Sequence, residues 1–204
     1  METSERQHVD EELRRLCEAS EYKPAVALAL EAYGLELRKL MMAILRQPDW
    51  VDDAYGAFSE SLLKSLPAFR WESSFRTWAY RVARHTCAQY LRSLHGREKW
   101  ASDGALADQP HHERSMTQPW LRTDIKHRFR ALQDKLTPHE RMILTLRIED
   151  GLSWNEVARA MAGHDLAPED LRQRVAVLRQ QFQRLKEHLR ELAIEESLIS
   201  SGLH

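Results

Sequence analysis

Apolar side chains recur at three- and four-residue steps along most of this chain, the spacing that gathers them on one face of a helix. Residues 10–20 predict a short, frayed helix with Leu13 and Leu16 on one side. Pro24 suits the first turn of the next helix, where its missing N–H costs nothing. From 25 to 46 the step is kept by Val26, Leu30, Tyr33, Leu37, Leu40, Met41, Ile44 and Leu45, and Pro48 ends the run. A further helix over 51–66 carries Tyr55, Phe58, Leu62, Leu63 and Leu66 as its stripe. Asp52 and Asp53 sit in its first turn, where the helix dipole favours acid, and Pro67 ends it. Ser73 or Ser74 caps another helix that runs to about residue 94.

The periodicity then collapses. Residues 96–120 are dominated by Gly, Ser, Asp, His and Pro, and predict a flexible linker. A second unit follows, from 121 to 194. Its first helix covers 121–135, with Ile125, Phe129 and Leu132 inward. Thr137, Pro138 and Glu140 form a strong start signal for the next, which carries Met142, Ile143 and Leu146 and stops at Gly151. Ser153 and Glu156 repeat the capping box and open a short helix to about 161. Gly163 breaks it, and Pro168 starts a long last helix to about 192. The chain has 204 residues with only 7 Gly and 7 Pro, which fits an all-α fold of two small helical domains. The segments outside them are an acidic N-terminal extension at 1–24, before a first domain at 25–95, and a tail at 195–204.

Charge changes the picture only locally. Lys and Arg total 30 and Asp and Glu total 31, so any nucleic-acid surface must come from segregation. Acid dominates the first 21 residues, whereas Arg70, Arg76, Arg81, Arg84, Arg92, Arg97 and Lys99 crowd the middle against Glu72 and Glu98. Two distant cysteines, Cys17 and Cys87, make neither a disulfide framework nor a metal quartet. No apolar run approaches the roughly 20 residues that cross a bilayer, and the N-terminus is unlike a signal peptide. These features point to the cytoplasm, with no membrane insertion. His111 and His112 lack partners at ligand spacing, so no metal is expected. No phosphate-cradling glycine loop or nucleophile elbow appears, so neither cofactor nor catalysis is expected.

Two segments carry binding chemistry. In the first, residues 71–92, Phe75, Ala79, Val82, Thr86 and Tyr90 share one face of a helix. Arg81, His85, Gln89 and Arg92 line another, beside Arg76, Tyr80 and Arg84. Cations there can track phosphates and aromatic rings can stack on unpaired bases, which makes single-stranded DNA a plausible ligand. The plain alternative is an amphipathic helix with Phe75, Trp78 and Tyr90 in its core. In the second segment, a short helix, a turn and a basic helix make a helix-turn-helix pattern. Arg172, Gln173, Arg174 and Arg179 lie near the start of the last helix, where side chains reach base edges in the major groove. A helical hairpin with a solvated charged face has the same pattern.

The run from Ser73 to His85, Ser-Ser-Phe-Arg-Thr-Trp-Ala-Tyr-Arg-Val-Ala-Arg-His, closely resembles region 2 of the extracytoplasmic-function (ECF) group of bacterial sigma factors. The acidic pair Asp52 and Asp53, and Pro67-Ala68-Phe69-Arg70 before the aromatic motif, fit the same layout. Leu136-Thr137-Pro138-His139-Glu140-Arg141 and Gly151-Leu152-Ser153-Trp154-Asn155-Glu156-Val157-Ala158 resemble region 4. The resemblance implies a transcription initiation factor that binds core RNA polymerase through the β′ clamp and β-flap and contacts promoter DNA. It implies polymerase contact by Asp52, Asp53 and Phe58. The −10 element falls to the loop with Phe69, Arg70, Trp71, Glu72, Ser73 and Ser74, which would hold a flipped base, and to Arg76, Arg81, Arg84, His85 and Gln89. The −35 element falls to Ser153, Trp154, Asn155, Glu169, Arg172, Gln173, Arg174 and Arg179. It also allows an anti-sigma factor as partner, although the acidic N-terminus offers another screen for the basic surface.

The sequence departs from the family pattern at named places. Gly56 and Ala57 stand where Gln-Glu is usual, His85 replaces a common Asn, and Val177 stands where Arg is common. The turn over 162–170 is longer than the family's. Two other readings stay open on the residues: a dimeric helix-turn-helix regulator of duplex DNA, and a sigma-like protein adaptor without promoter opening.

Overall fold

The computed structural model describes residues 3–102, 132 and 135–195, and every element among them is helical. Helix α1 spans Thr3–Glu18, α2 Tyr22–Leu45, α3 Pro48–Ser65 and α4 Phe75–Ser102, with a 3-10 turn, Leu66–Ala68, after α3. In the second unit α5 spans Pro138–Leu144 and runs into a π-helical turn, Thr145–Glu149. Then come α6, Trp154–Met161, and α7, Pro168–Glu195. Most of the expected linker and of the helix expected over 121–135 lies outside the described residues, as do His111, His112 and nearly all of the tail.

Several boundaries differ from expectation for local reasons. Pro48 does not merely end α2; it opens α3 as one of its first residues, so α3 begins earlier than 51. Arg46 takes a left-handed φ of 64° and donates its N–H to the Met42 carbonyl, closing α2. Helix α4 continues past 94 to Ser102, because Gly96 alone costs about 1 kcal/mol in a helix and no proline intervenes. Helix α1 starts at Thr3, and Leu13 is fully buried against α2 with Leu16 nearly so. The N-terminal segment is therefore part of the first core.

In that first unit α2 is central, with α1, α3 and α4 each packed along it. Ala25, Val26, Ala29, Tyr33, Leu37, Leu40, Met41 and Leu45 form its buried face. Gly34 allows α3 to approach: a Cβ there would come within 2.6 Å of the Tyr55 hydroxyl. The second unit is punctuated by two complete capping boxes. The Thr137 hydroxyl accepts from the Glu140 N–H at 3.3 Å, and the Glu140 carboxylate accepts from the Thr137 N–H at 2.9 Å. Ser153 and Glu156 repeat this at 3.3 and 2.7 Å. Between them Gly151, at φ +68°, makes the bend that an L side chain resists.

The two helical units expected from the sequence are present, and they touch. Helix α4 lies against α6 and α2 against α5, and the buried apolar side chains of both units join one cluster.

A candidate nucleic-acid interface

The loop between α3 and α4 is held from both ends. Phe69 stacks on Trp78 with centroids 4.6 Å apart and planes 21° from parallel. Trp71 packs 4.8 Å from Phe69, and the Arg14 guanidinium of α1 lies 5.0 Å over the Trp71 ring. Trp71 adopts φ +58°, uncommon for a bulky side chain, so this bracing holds a backbone shape that costs free energy. Ser74 caps α4 by accepting from the Thr77 N–H at 3.2 Å. Arg70 and Glu72 stay exposed and pair at 3.3 Å, and Ser73 is half-buried.

Along α4 the predicted polar face divides. His85, Gln89 and Arg92 are exposed, and Arg81 and Arg84 are half-buried. Arg76 turns inward and is only 5% exposed. Its Nε donates to Glu36 of α2 at 2.7 Å and its guanidinium to the Asp150 carbonyl at 2.7 Å. Tyr80 is fully buried, its hydroxyl 3.0 Å from Glu36 and 2.7 Å from Asp150. Trp78 and Phe75 are core, and Cys87 is buried on the inner face, its thiol pushed up to about 12 by burial.

The second unit meets this face with acceptors. Asp165, in the turn between α6 and α7, accepts from Arg70 at 3.0 Å and also from Arg81. The Ala162 carbonyl accepts from Arg84 at 2.7 Å. The hydrogen bond from Arg81 holds the Asp165 carboxyl below its usual range, opposed by partial burial and helped by the bond from Arg70. Burial, with the neighbouring positive charge of Arg174 and Arg81, lowers the Arg84 pKa. In the other direction Arg141 of α5 donates to the Ala43 carbonyl of α2 at 2.7 Å. The carboxylates that meet the basic face thus come from α2, from the second unit and, for Arg70, also from Glu72 of the loop itself. In the N-terminal helix, Glu12 pairs with Arg15 of the same helix.

The residues expected at the −35 element lie mostly in the open. Arg172, Gln173, Arg174 and Arg179 are exposed along the first half of α7, with Val175 and Leu178 on its buried side. Glu169 pairs with Arg172. Ser153 and Asn155 are exposed at the start of α6, while Trp154 is half-buried, edge-on to Phe182 at 5.3 Å and under Arg147 at 5.1 Å. Of the residues expected to meet polymerase, Asp52 and Asp53 are exposed, the first paired with Arg38 and the second accepting from the Tyr90 hydroxyl at 2.9 Å. Phe58 is fully buried and packs in the first core.

Sequence reasoning did not single out Glu36, Asp150 or Asp165 as partners of the basic face. The one sequence feature near Asp165 was the turn over 162–170, and nothing in the sequence marked Glu36 or Asp150. Among the described residues no helix is long and apolar enough to cross a membrane, and no three His, Cys, Asp or Glu side chains cluster as a metal site.

Comparison with known proteins gives a consistent result. Residues 29–97 match the family described as Sigma-70 region 2. The chain is 30% identical over 148 residues to the ECF RNA polymerase sigma-E factor of Escherichia coli, covering 67% of this chain and 75% of that one. It is 28% identical over 137 residues to the RNA polymerase sigma-H factor of Pseudomonas aeruginosa, covering 60% and 69%. Its fold is similar to that of CnrH, solved in complex with the cytosolic domain of CnrY. The TM-score is 0.60 at 17% identity, over 90% of this chain and 96% of that one.

Proposed function

The chain belongs to the ECF group of RNA polymerase sigma factors, transcription initiation factors that bind RNA polymerase, and from that premise we propose how its two units divide the work. As a family these are transcription factors rather than enzymes. The first unit holds the −10 element and helps to open it. The second lays the start of α7 in the major groove of the −35 element, with Arg172, Gln173, Arg174 and Arg179 toward the DNA. Exposed Asp52 and Asp53 serve docking on the β′ clamp, and the second unit meets the β-flap.

One observation carries the −10 assignment. Arg70, Arg81 and Arg84 stand beside a loop whose aromatic side chains are already stacked and whose helix is already capped. A flipped base needs a preformed pocket to replace its lost stacking, and the strand beside it needs cations for its phosphates. Arg76 has a different part: it ties α4 to α2 from inside. The CnrH complex with CnrY supports a protein partner for this chain too, of the anti-sigma kind that the family resemblance allows.

Run-off transcription with core polymerase over a randomised promoter pool tests the reading, promoter-dependent transcripts being the expected result. Arg81→Ala and Arg84→Ala weaken promoter binding, each lowering its salt slope by about one. An unchanged slope in both rules out phosphate contact. Duplex binding without core supports a regulator instead, and core binding without opening supports an adaptor.

A further inference from the structure

The face that the proposed function gives to DNA is already occupied. One Asp165 carboxylate engages two guanidinium groups, Oδ2 accepting from Arg70 and Oδ1 from Arg81. Just before it, the Ala162 carbonyl takes a hydrogen bond from Arg84. An anionic group set between two arginines, with a further acceptor along the same line, is how a stretch of DNA backbone meets such a face. His164, Asp165 and Leu166 also close over the loop. Between them and Phe69, Arg70, Ser73 and Trp78 remains a cleft of about 40 Å³, room for a few waters and far too little for a nucleobase. Both acceptors belong to the segment that joins α6 to α7.

We infer that this turn is an intramolecular occupant of the DNA-binding face: in the free factor Asp165 stands in for a DNA phosphate between Arg70 and Arg81. The inference rests on the reading of Arg70, Arg81 and Arg84 as DNA contacts. The occupant is displaceable by design of its exposure. The side chains of Arg70 and Asp165 are 68% and 42% exposed, so their pairing is weak and sensitive to salt. The buried contacts of Arg76, Tyr80 and Arg141 hold the two units together more firmly than the turn does. DNA can therefore evict the turn locally, while full separation of the units needs the larger binding energy of polymerase.

The test uses the full-length free factor, a fluorescent single-stranded DNA pool of random sequence, and hydrogen exchange over 68–74 and 162–168. Asp165→Asn keeps the shape of the side chain and removes its charge. It is expected to raise affinity for the pool at least about fivefold and to speed exchange in the turn. Combining it with Arg81→Ala abolishes the gain. By linkage, adding the pool to the wild-type factor speeds exchange in the turn. Unchanged affinity in Asp165→Asn, with circular dichroism intact, overturns the inference if Arg81→Ala still weakens promoter binding by the holoenzyme. If Arg81→Ala leaves holoenzyme binding intact, the DNA reading of the face fails, and the inference with it.

Discussion

Two arginines five residues apart on α4 show how far one residue type can differ in work. Arg81 is half-buried and reaches an exposed partner, whereas Arg76 is buried and reaches a half-buried one. Removing Arg76 leaves half-buried Glu36 with only Arg6 at 3.3 Å and the Tyr80 hydroxyl, and takes the donor from the Asp150 carbonyl, a loss that costs about 2–3 kcal/mol. Arg76→Ala is therefore expected to lower the midpoint of urea unfolding strongly, whereas Arg81→Ala leaves it nearly unchanged and acts on DNA. Equal destabilisation by the two would contradict this division. Gly151 gives a second residue-scale case. Nothing lies within 4 Å of a Cβ built there, so Gly151→Ala meets no clash, and the whole cost is the left-handed backbone. That cost is about 1–2 kcal/mol, readable as a fall in melting temperature without change in the far-ultraviolet spectrum.

At the scale of elements, the signals with local causes were legible in the sequence. The boxes at Thr137 and Ser153 need only residues three apart, and both formed as read. Ser74 caps α4, and Gly151 ends the helical run before it, for the same reason. Ser153→Ala should cost about 1 kcal/mol and act on α6, seen as faster hydrogen exchange over 154–161. Unaltered exchange there would mean that packing against α7, not the cap, holds α6. Where packing decides, the sequence was silent. Arg76, Arg81 and Arg84 look alike on a helical wheel, yet their burial depends on α2 and on a unit some 70 residues away. Phe58 reads as either surface or core on an amphipathic stripe, and only the approach of α2 and α4 makes it core. The family resemblance located the motifs without telling which of their side chains face outward in the free chain.

At the scale of the whole molecule, the junction of the two units holds a carboxyl that burial pushes well above the usual carboxylate range. Asp150 is 5% exposed, and burial raises its carboxyl from 3.8 to about 6, the nearby charge of Glu36 adding to this. The Tyr80 hydroxyl, Arg76 and Lys39 act the other way. The Tyr80 hydroxyl has one proton for two acceptors, Glu36 and Asp150, so neutralising Asp150 relieves both that competition and the repulsion between the two carboxylates. With the units apart, Asp150 would return toward its ordinary value. The packed form thus binds the proton more tightly, and its stability falls as pH rises from about 4 to 6, then levels off. Asp165 works in the opposite sense, but its carboxyl lies below 3.8 and drops out of that window. The radius of gyration of the free factor, measured by small-angle scattering, should therefore be smaller at pH 5 than at pH 7.5. Asp150→Asn, a permanent mimic of the neutral acid, should hold the smaller value at both. The same variant should slow the engagement of core polymerase at pH 7.5, because opening now has to break the contact that deprotonation weakens. A radius that changes with pH as much in Asp150→Asn as in the wild type would place the sensitivity elsewhere and leave the buried Tyr80 contact as packing alone.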